Sequence, residues 1–218
     1  MNIRPFSKSY DGRLVLDFPG IVLHPGEVTA VIGANGCGKS TLAKVIAGVI
    51  RSDQRRRVVD ARKIGYMPQK NYAFRMSTKK NILLSNNAPD KADELMQALH
   101  LEKLADKPAH KLSGGETARM ALARLMMCDY ELVLLDEPTA AMDMETTLLS
   151  EQLIRDYVQN TSCALVLVTH SLQQARRVAD QVLFFKDGTL RESGKRGTDS
   201  DRKPNDPELR KFLDFYGL

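Results

Sequence analysis

The segment Gly33-Ala34-Asn35-Gly36-Cys37-Gly38-Lys39-Ser40 fills the pattern G-x-x-x-x-G-K-[ST]. Glycines at these positions let the backbone fold closely around phosphate groups, so that its N–H donors face the anion. Lys39 then supplies a positive charge for the β- and γ-phosphates, and the Ser40 hydroxyl a ligand for Mg²⁺. The chemistry is nucleoside triphosphate binding. Further along, Leu132-Val133-Leu134-Leu135 runs into Asp136-Glu137. A carboxylate leaving a parallel strand at its carboxyl end lies on the crevice edge of the sheet. Asp136 can complete Mg²⁺ coordination there, and Glu137, one residue on, can polarise an attacking water. His170 leaves the strand Leu165–Thr169 toward the same edge; taken alone it is equally a hydrogen-bonded histidine at a strand end. Leu112-Ser113-Gly114-Gly115-Glu116 is a second candidate anion receiver, because a helix start presents unpaired N–H groups and the positive end of a dipole. It is also an ordinary capping sequence. Two phosphate-receiving helix starts beside one P-loop suggest that the second serves a nucleotide held by another subunit.

These residues need particular elements beneath them. Val28-Thr29-Ala30-Val31-Ile32 reads as a buried strand, and Thr41–Ala47 as a helix stopping at Gly48. Residues 2–32 read as short β segments with turns at Asp11-Gly12 and Pro25-Gly26. Lys63–Met67 predicts a strand ending at Pro68. Helical patterning follows: one helix opens at Pro89-Asp90 with Leu95, Met96 and Leu99 on a face, and another begins at Ser113 with Met120, Leu122, Ala123, Leu125 and Met126 apolar. Strand patterns at 132–135 and 163–168, flanked by helical patterns at 145–158 and 171–179, predict a parallel sheet. Asp187-Gly188 predicts a hairpin within 181–190.

The fold class is therefore α/β: a P-loop NTPase core with a mainly parallel sheet, a small antiparallel β lobe at the N-terminus and an inserted α-helical lobe over about 72–127. This ATPase domain spans 1–190. Residues 191–207, rich in charge, Gly and Ser, are expected to be loose, and Pro207–Leu218 is expected to form a short docking helix through Leu209, Phe212, Leu213 and Phe215.

A chain of 218 residues with 43% apolar and 27% charged side chains supports one sizeable domain with a full core. Cys37, Cys128 and Cys163 are too few and too scattered for a disulfide framework. A cysteine inside the P-loop points to a reducing compartment, where Cys37 is a spectator thiol that a bulky alkylating agent can exploit. Met1–Pro5 lacks the apolar core of a signal peptide, and runs such as Cys163–Val168 are too short to cross a bilayer. A cytoplasmic protein is expected, with any membrane role supplied by a separate subunit. The net charge is +5, and Arg51, Arg55, Arg56, Arg57, Arg62 and Lys63 cluster against only Asp53 and Asp60. That cluster is either a patch for nucleic acid or anionic lipid or a solvated loop. The absence of an interleaved aromatic residue favours the loop, and no nucleic-acid partner is expected.

Over about residues 3–190 the chain resembles the ATP-binding subunit of an ABC transporter. Residues 33–41 are similar to that family's Walker A motif, 112–116 to its signature sequence, and Leu132–Glu137 to Walker B with its catalytic glutamate. Gln69, after Tyr66-Met67-Pro68, falls where the family has its Q-loop glutamine, a Mg²⁺ ligand beside the reacting phosphate. Ala140-Ala141-Met142-Asp143 resembles the D-loop, His170 the switch histidine, and Tyr10 the aromatic residue that stacks on adenine. The resemblance implies two such domains, copies or paralogues, paired head to tail around two ATP molecules. Each site would combine Gly33, Asn35, Gly36, Cys37, Gly38, Lys39, Ser40, Thr41, Gln69, Asp136, Glu137 and His170 of one chain with Ser113, Gly114, Gly115, Glu116 and Asp143 of the other. It also implies integral-membrane transporter subunits as partners, contacted through the helical lobe including Phe74 and Met76. The inner face of the cell membrane is the implied location, and import the implied direction. The chain departs from the family at Glu116, more often Gln, at Ala140, usually Ser, and in the short stretch between the P-loop and Gln69. A soluble ABC ATPase acting in cofactor assembly is the alternative. A nucleotide-gated binding module without turnover is a further one, which Asp136-Glu137 and His170 oppose.

Overall fold

The computed structural model describes residues 1–195. The N-terminal segment forms β1 (Asn2–Ile3), β2 (Phe6–Tyr10), β3 (Arg13–Phe18) and β4 (Ile21–Val22). The turn between β2 and β3 uses Asp11 and Gly12, both with positive φ (50° and 77°), the backbone that a right-twisted two-residue hairpin demands. Then follow β5 (Val28–Gly33), α1 (Lys39–Ile46) and β6 (Ile64–Met67). A helical region comes next: α2 (Thr78–Leu83), α3 (Pro89–Ala98) and α4 (Gly114–Met126). The chain returns to β7 (Leu132–Asp136), α5 (Met144–Thr161), β8 (Ala164–Val168), α6 (Leu172–Val178), β9 (Gln181–Lys186) and β10 (Thr189–Lys195).

The main sheet runs β2-β3-β10-β9-β5-β8-β7-β6, and β1 pairs with β4 in a separate two-stranded sheet. From β9 to β6 every neighbour is parallel, whereas β2 with β3 and β9 with β10 are antiparallel. Parallel strands covered on both faces must be apolar throughout, and every residue of β5, β7 and β8 is buried. Within β7 the residues still divide by parity. Leu132 and Leu134 pack with the α1 residues Leu42, Val45 and Ile46; Val133 and Leu135 pack with α4, α5 and the helical region.

Parallel pairing brings the carboxyl ends of β5, β6, β7 and β8 to one edge of the sheet. Those ends lead into the P-loop, Gln69, Glu137 and His170, which is how four segments distant in sequence meet. The helical region has its own anchor in Asn81, which is fully buried. Its carboxamide oxygen accepts from the Phe74 N–H at 2.9 Å, and its nitrogen donates to the carbonyls of Phe74 and Ser77, both at 3.1 Å.

One expectation is corrected. Residues 191–195, expected to be loose, continue β10: Glu192 pairs with Phe184 and Lys195 with Gln181, and the Lys195 ammonium lies 3.3 Å from the Glu27 carboxylate. Polar composition misled because β10 covers β9 without burying itself; ladder hydrogen bonds, not apolar area, hold it. The remainder of the expected loose segment and the expected helix over Pro207–Leu218 lie outside the described residues.

Candidate active site

A crevice of about 320 Å³ opens at the carboxyl edge of the sheet, lined by Asn35, Gly36, Gly38, Lys39, Ser40 and Thr41 together with Gln69 and Glu137. Gly38, at φ 102°, turns the chain into α1; no side chain caps this helix and no acidic residue occupies its first turn. The helix start is thus left to an external anion. Gly33 answers a different demand, since a Cβ there would lie 2.1 Å from the Phe185 carbonyl oxygen and 2.9 Å from the Cys37 sulfur. Lys39 is buried, and its ammonium donates to the carbonyls of Gly33 and Ala34 at 2.8 and 2.9 Å. The loop therefore holds the charge in place by its own backbone, on the wall of the crevice.

The Cys37 side chain is 7% exposed and packs into the core beneath the loop, and burial raises its thiol pKa above the ordinary range. This corrects the expectation of a thiol open to alkylation, and Cys37 does not line the crevice.

Ser40 Oγ donates to Asp136 Oδ1 at 3.0 Å. A hydroxyl and a carboxylate side by side are hard oxygen donors, the set that suits a magnesium ion. Asp136 is 1% exposed, and desolvation pushes its carboxyl pKa upward, against the lowering effects of Ser40, Lys44 and Lys39. A carboxyl whose folded pKa is raised contributes stability below its unfolded value of about 3.9, and that contribution is lost as pH rises through the folded value. At neutral pH the ligand-free protein therefore carries a buried charge that it would be more stable without. Asp136→Asn is expected to raise the melting temperature of the ligand-free protein at pH 7, with the gain shrinking as pH falls toward 4. An equal or lower melting temperature for the variant at pH 7 would show that the carboxylate is not under electrostatic stress.

Glu137 has φ 53°, a left-handed backbone that costs a non-glycine residue about 1–3 kcal/mol and is characteristically retained where function requires it. The turn is pinned by its N–H, which donates to the Val168 carbonyl at 2.9 Å. Glu137 Oε1 lies 2.8 Å from His170 Nδ1; the carboxylate side chain is 10% exposed and the imidazole 54%. The carboxylate is oriented by one partner and faces the crevice that Lys39 and Gln69 line.

The second glycine-bearing helix start does not line this crevice. Ser113 caps α4 with a reciprocal box: the Glu116 N–H donates to Ser113 Oγ at 3.2 Å and the Ser113 N–H to Glu116 Oε2 at 2.8 Å. The Ser113 N–H holds the Glu116 carboxyl below the usual carboxylate range, with the Lys107 ammonium at 3.1 Å adding to it. The charge that distinguishes Glu116 from Gln is thus offset within the chain. A Cβ on Gly115 would meet the Ala141 carbonyl oxygen at 2.7 Å, and one on Gly114 would touch Ala141 Cβ at 3.5 Å. The α4 start and the Ala140–Asp143 turn therefore form one packed unit, in which Asp143 caps α5 by accepting from the Thr146 N–H at 2.8 Å. No local pattern in the sequence joins these two stretches.

Tyr10 stands at the β2–β3 turn, 45% exposed, with the Lys8 ammonium 5.0 Å above its ring; it does not line the crevice. Val15 and Val168, which do line it, were not foreseen. Nothing in the alternation of β3 marks Val15; its role comes from a close backbone crossing, where a Cβ on Gly188 would lie 2.3 Å from the Val15 carbonyl oxygen.

Comparison with known proteins agrees with this geometry. A family model described as ABC transporter matches residues 20–140. The tungstate uptake system ATP-binding protein TupC of Peptoclostridium acidaminophilum is 36% identical over 208 residues, covering 88% of this chain and 97% of that protein. The aliphatic sulfonates import ATP-binding protein SsuB 2 of Paracoccus denitrificans is 32% identical over 223 residues, covering 99% and 91% respectively. A solved dimeric bacterial ABC transporter cassette superposes with a TM-score of 0.79 at 22% identity, covering 89% of this chain and 97% of its own; at that identity the likeness speaks to the fold alone.

Proposed function

The chain belongs to the ABC transporter family of ATP-binding proteins, and from that premise we propose a motor whose two ATP sites are each completed by a second ATPase chain. Its basic activity is ATP binding and hydrolysis in the service of a transporter. The observation that carries the finer reading is a division within the chain. The P-loop, Gln69, Ser40 and Glu137 line one crevice, with Asp136 bonded to Ser40 and His170 to Glu137 behind that lining, whereas the Ser113–Glu116 helix start and Asp143 neither line it nor bond to a residue that does. This helix start has its Ser113 and Glu116 N–H groups bonded within the capping box, so what it would offer a phosphate held by another chain is the remaining first-turn N–H groups at Gly114 and Gly115.

In this reading ATP lies on the P-loop of one chain and under Ser113, Gly114 and Gly115 of the other, copy or paralogue, and Tyr10 stacks against adenine. Ser40, Asp136 and Gln69 would hold Mg²⁺, which would supply positive charge to the phosphate oxygens. Glu137 accepts the proton of the attacking water, and His170 orients the Glu137 carboxylate and lies beside the γ-phosphate. Closure of the pair excludes water from these charges and strengthens them. ATP favours the closed pair by differential affinity, and hydrolysis removes the γ-phosphate that sustains it.

The motor is coupled to integral-membrane subunits on the inner face of the cell membrane. Among the described residues no helix is long and apolar enough to cross a membrane, so the translocation path lies in those subunits. Directly after Gln69, Tyr72 (66% exposed) and Phe74 (43%) stack edge to face with ring centroids 4.9 Å apart. Beside them lies a small cleft of about 150 Å³, lined by Pro68, Asn71, Ser85 and Arg124. Tyr66 Oη, Asn71 Oδ1 and Arg124 Nη1 are buried there without a hydrogen-bond partner, which is what a polar segment of a membrane subunit would supply. The test is a pull-down of the tagged chain from native membranes in mild detergent. A multi-span partner is expected; soluble partners alone would favour an ABC ATPase outside transport.

A further inference from the structure

The segment between α1 and β6 carries five arginines that the ATPase mechanism does not use, and four of them gather at one place. Arg51, Arg55, Arg56 and Arg57 line a concavity of about 270 Å³ together with Ser52 and the C-terminal end of α1. The two acidic residues of the segment are engaged elsewhere. Asp53 accepts from the Ser9 N–H at 3.0 Å and from the hydroxyls of Ser7 and Ser9 at 3.2 and 2.9 Å. Asp60 forms an ion pair with Arg4. Arg57 is anchored through the Ala61 carbonyl. Arg51, Arg55 and Arg56 have no carboxylate partner among the described residues.

The turn that carries them is itself built. Arg55 has φ 52°, and its N–H donates to the Ser52 carbonyl at 2.9 Å; the Ser52 residue is 3% exposed. Like charges held around one concavity repel, and an oxyanion offsets that repulsion while matching the planar donor fork of guanidinium. Small-ligand clefts typically enclose about 300–1,000 Å³, so this one suits a compact ligand. Single-stranded nucleic acid is gripped by aromatic platforms along a groove, and no aromatic residue occurs between Arg51 and Lys63. We propose that this concavity binds a compact multivalent oxyanion of the phosphate class, at a site separate from the nucleotide crevice. The eight-residue α1 connects the two: at 1.5 Å per residue they are about 12 Å apart along the helix, one at its first turn and the other at its last.

Calorimetric titration of the full chain with inorganic pyrophosphate, after saturating the nucleotide crevice with ADP, tests this. A further binding event is expected, weakening with salt and at least about tenfold weaker in the double variant Arg55→Ala/Arg56→Ala, one charged hydrogen bond being worth about that much. Both arginines are exposed, and unchanged ADP affinity verifies that the variant is folded. The ADP titration is read first and reports on the nucleotide crevice by itself; if the wild type does not bind ADP, an unchanged melting temperature verifies the fold of the variant instead, and arginine-dependent pyrophosphate binding still supports the second site. Absence of pyrophosphate heat, or an unaltered isotherm in the double variant, would overturn the proposal. So would capture by phosphatidylglycerol vesicles that depends on the two arginines without any pyrophosphate binding, since the arginines would then serve a lipid surface.

Discussion

Glu137→Gln is expected to lower steady-state phosphate release by about 10²–10⁴-fold, the usual contribution of a positioned general base, while ATP affinity stays within about twofold. The substitution separates two properties of the side chain. Glutamine keeps the length of glutamate and can still hydrogen-bond His170 Nδ1, now 2.8 Å from the carboxylate, so the crevice wall is preserved. It cannot accept a proton. The left-handed backbone at φ 53° is no harder for glutamine than for glutamate, so stability should change little. On the proposed cycle, in which ATP favours the closed pair and hydrolysis reopens it, the variant should also accumulate as an ATP-dependent dimer, read by size-exclusion chromatography with and without ATP. Phosphate release at the wild-type rate would remove Glu137 from the role of base and leave the Glu137–His170 pair as a structural contact.

What the sequence made legible follows from how local each signal is. The P-loop, the β7 strand with its two carboxylates and the Ser113 cap are short-range patterns, each fixed by its own backbone requirements. The structure keeps their element boundaries to within a residue or two. Parallel pairing was implied by alternation of strands and helices, and it is what gathers Gln69, Glu137 and His170 at one edge. Less legible were contacts made by backbone across long separations. Val15 enters the crevice wall because β3 crosses close to Gly38 and Gly188. Gly115 is glycine because the Ala141 carbonyl lies against it, a reason that a phosphate-binding pattern does not contain. The extent of β10 was missed because its stabilisation lies in ladder hydrogen bonds that leave no hydrophobic period. The Glu116 departure looked like added charge at an anion site, and only the position of Lys107 reveals its compensation.

Lys39→Ala is expected to weaken ATP binding by about 10–100-fold, the equivalent of one lost charged hydrogen bond of about 1.5–3 kcal/mol. The ligand-free geometry sharpens this expectation. The ammonium is already desolvated and held by the Gly33 and Ala34 carbonyls at 2.8 and 2.9 Å. Binding phosphate therefore demands neither burial of a hydrated charge nor ordering of a free side chain, two costs that ordinarily consume much of a surface ion pair. Truncation to alanine, however, also leaves those two carbonyls without their donor and opens a gap where a 7% exposed side chain stood. Part of any loss of affinity could then be a disordered loop. Lys39→Met separates volume from the ammonium, because it fills the space of the lysine stem while removing the charge together with the two hydrogen bonds to Gly33 and Ala34. If the charge acts on the phosphates, both variants lose ATP affinity alike, and methionine retains more of the wild-type melting temperature. If Lys39→Met binds ATP as the wild type does, the ammonium is dispensable, the lysine stem supports the loop by its volume alone, and the phosphates are held by backbone N–H groups and the first turn of α1.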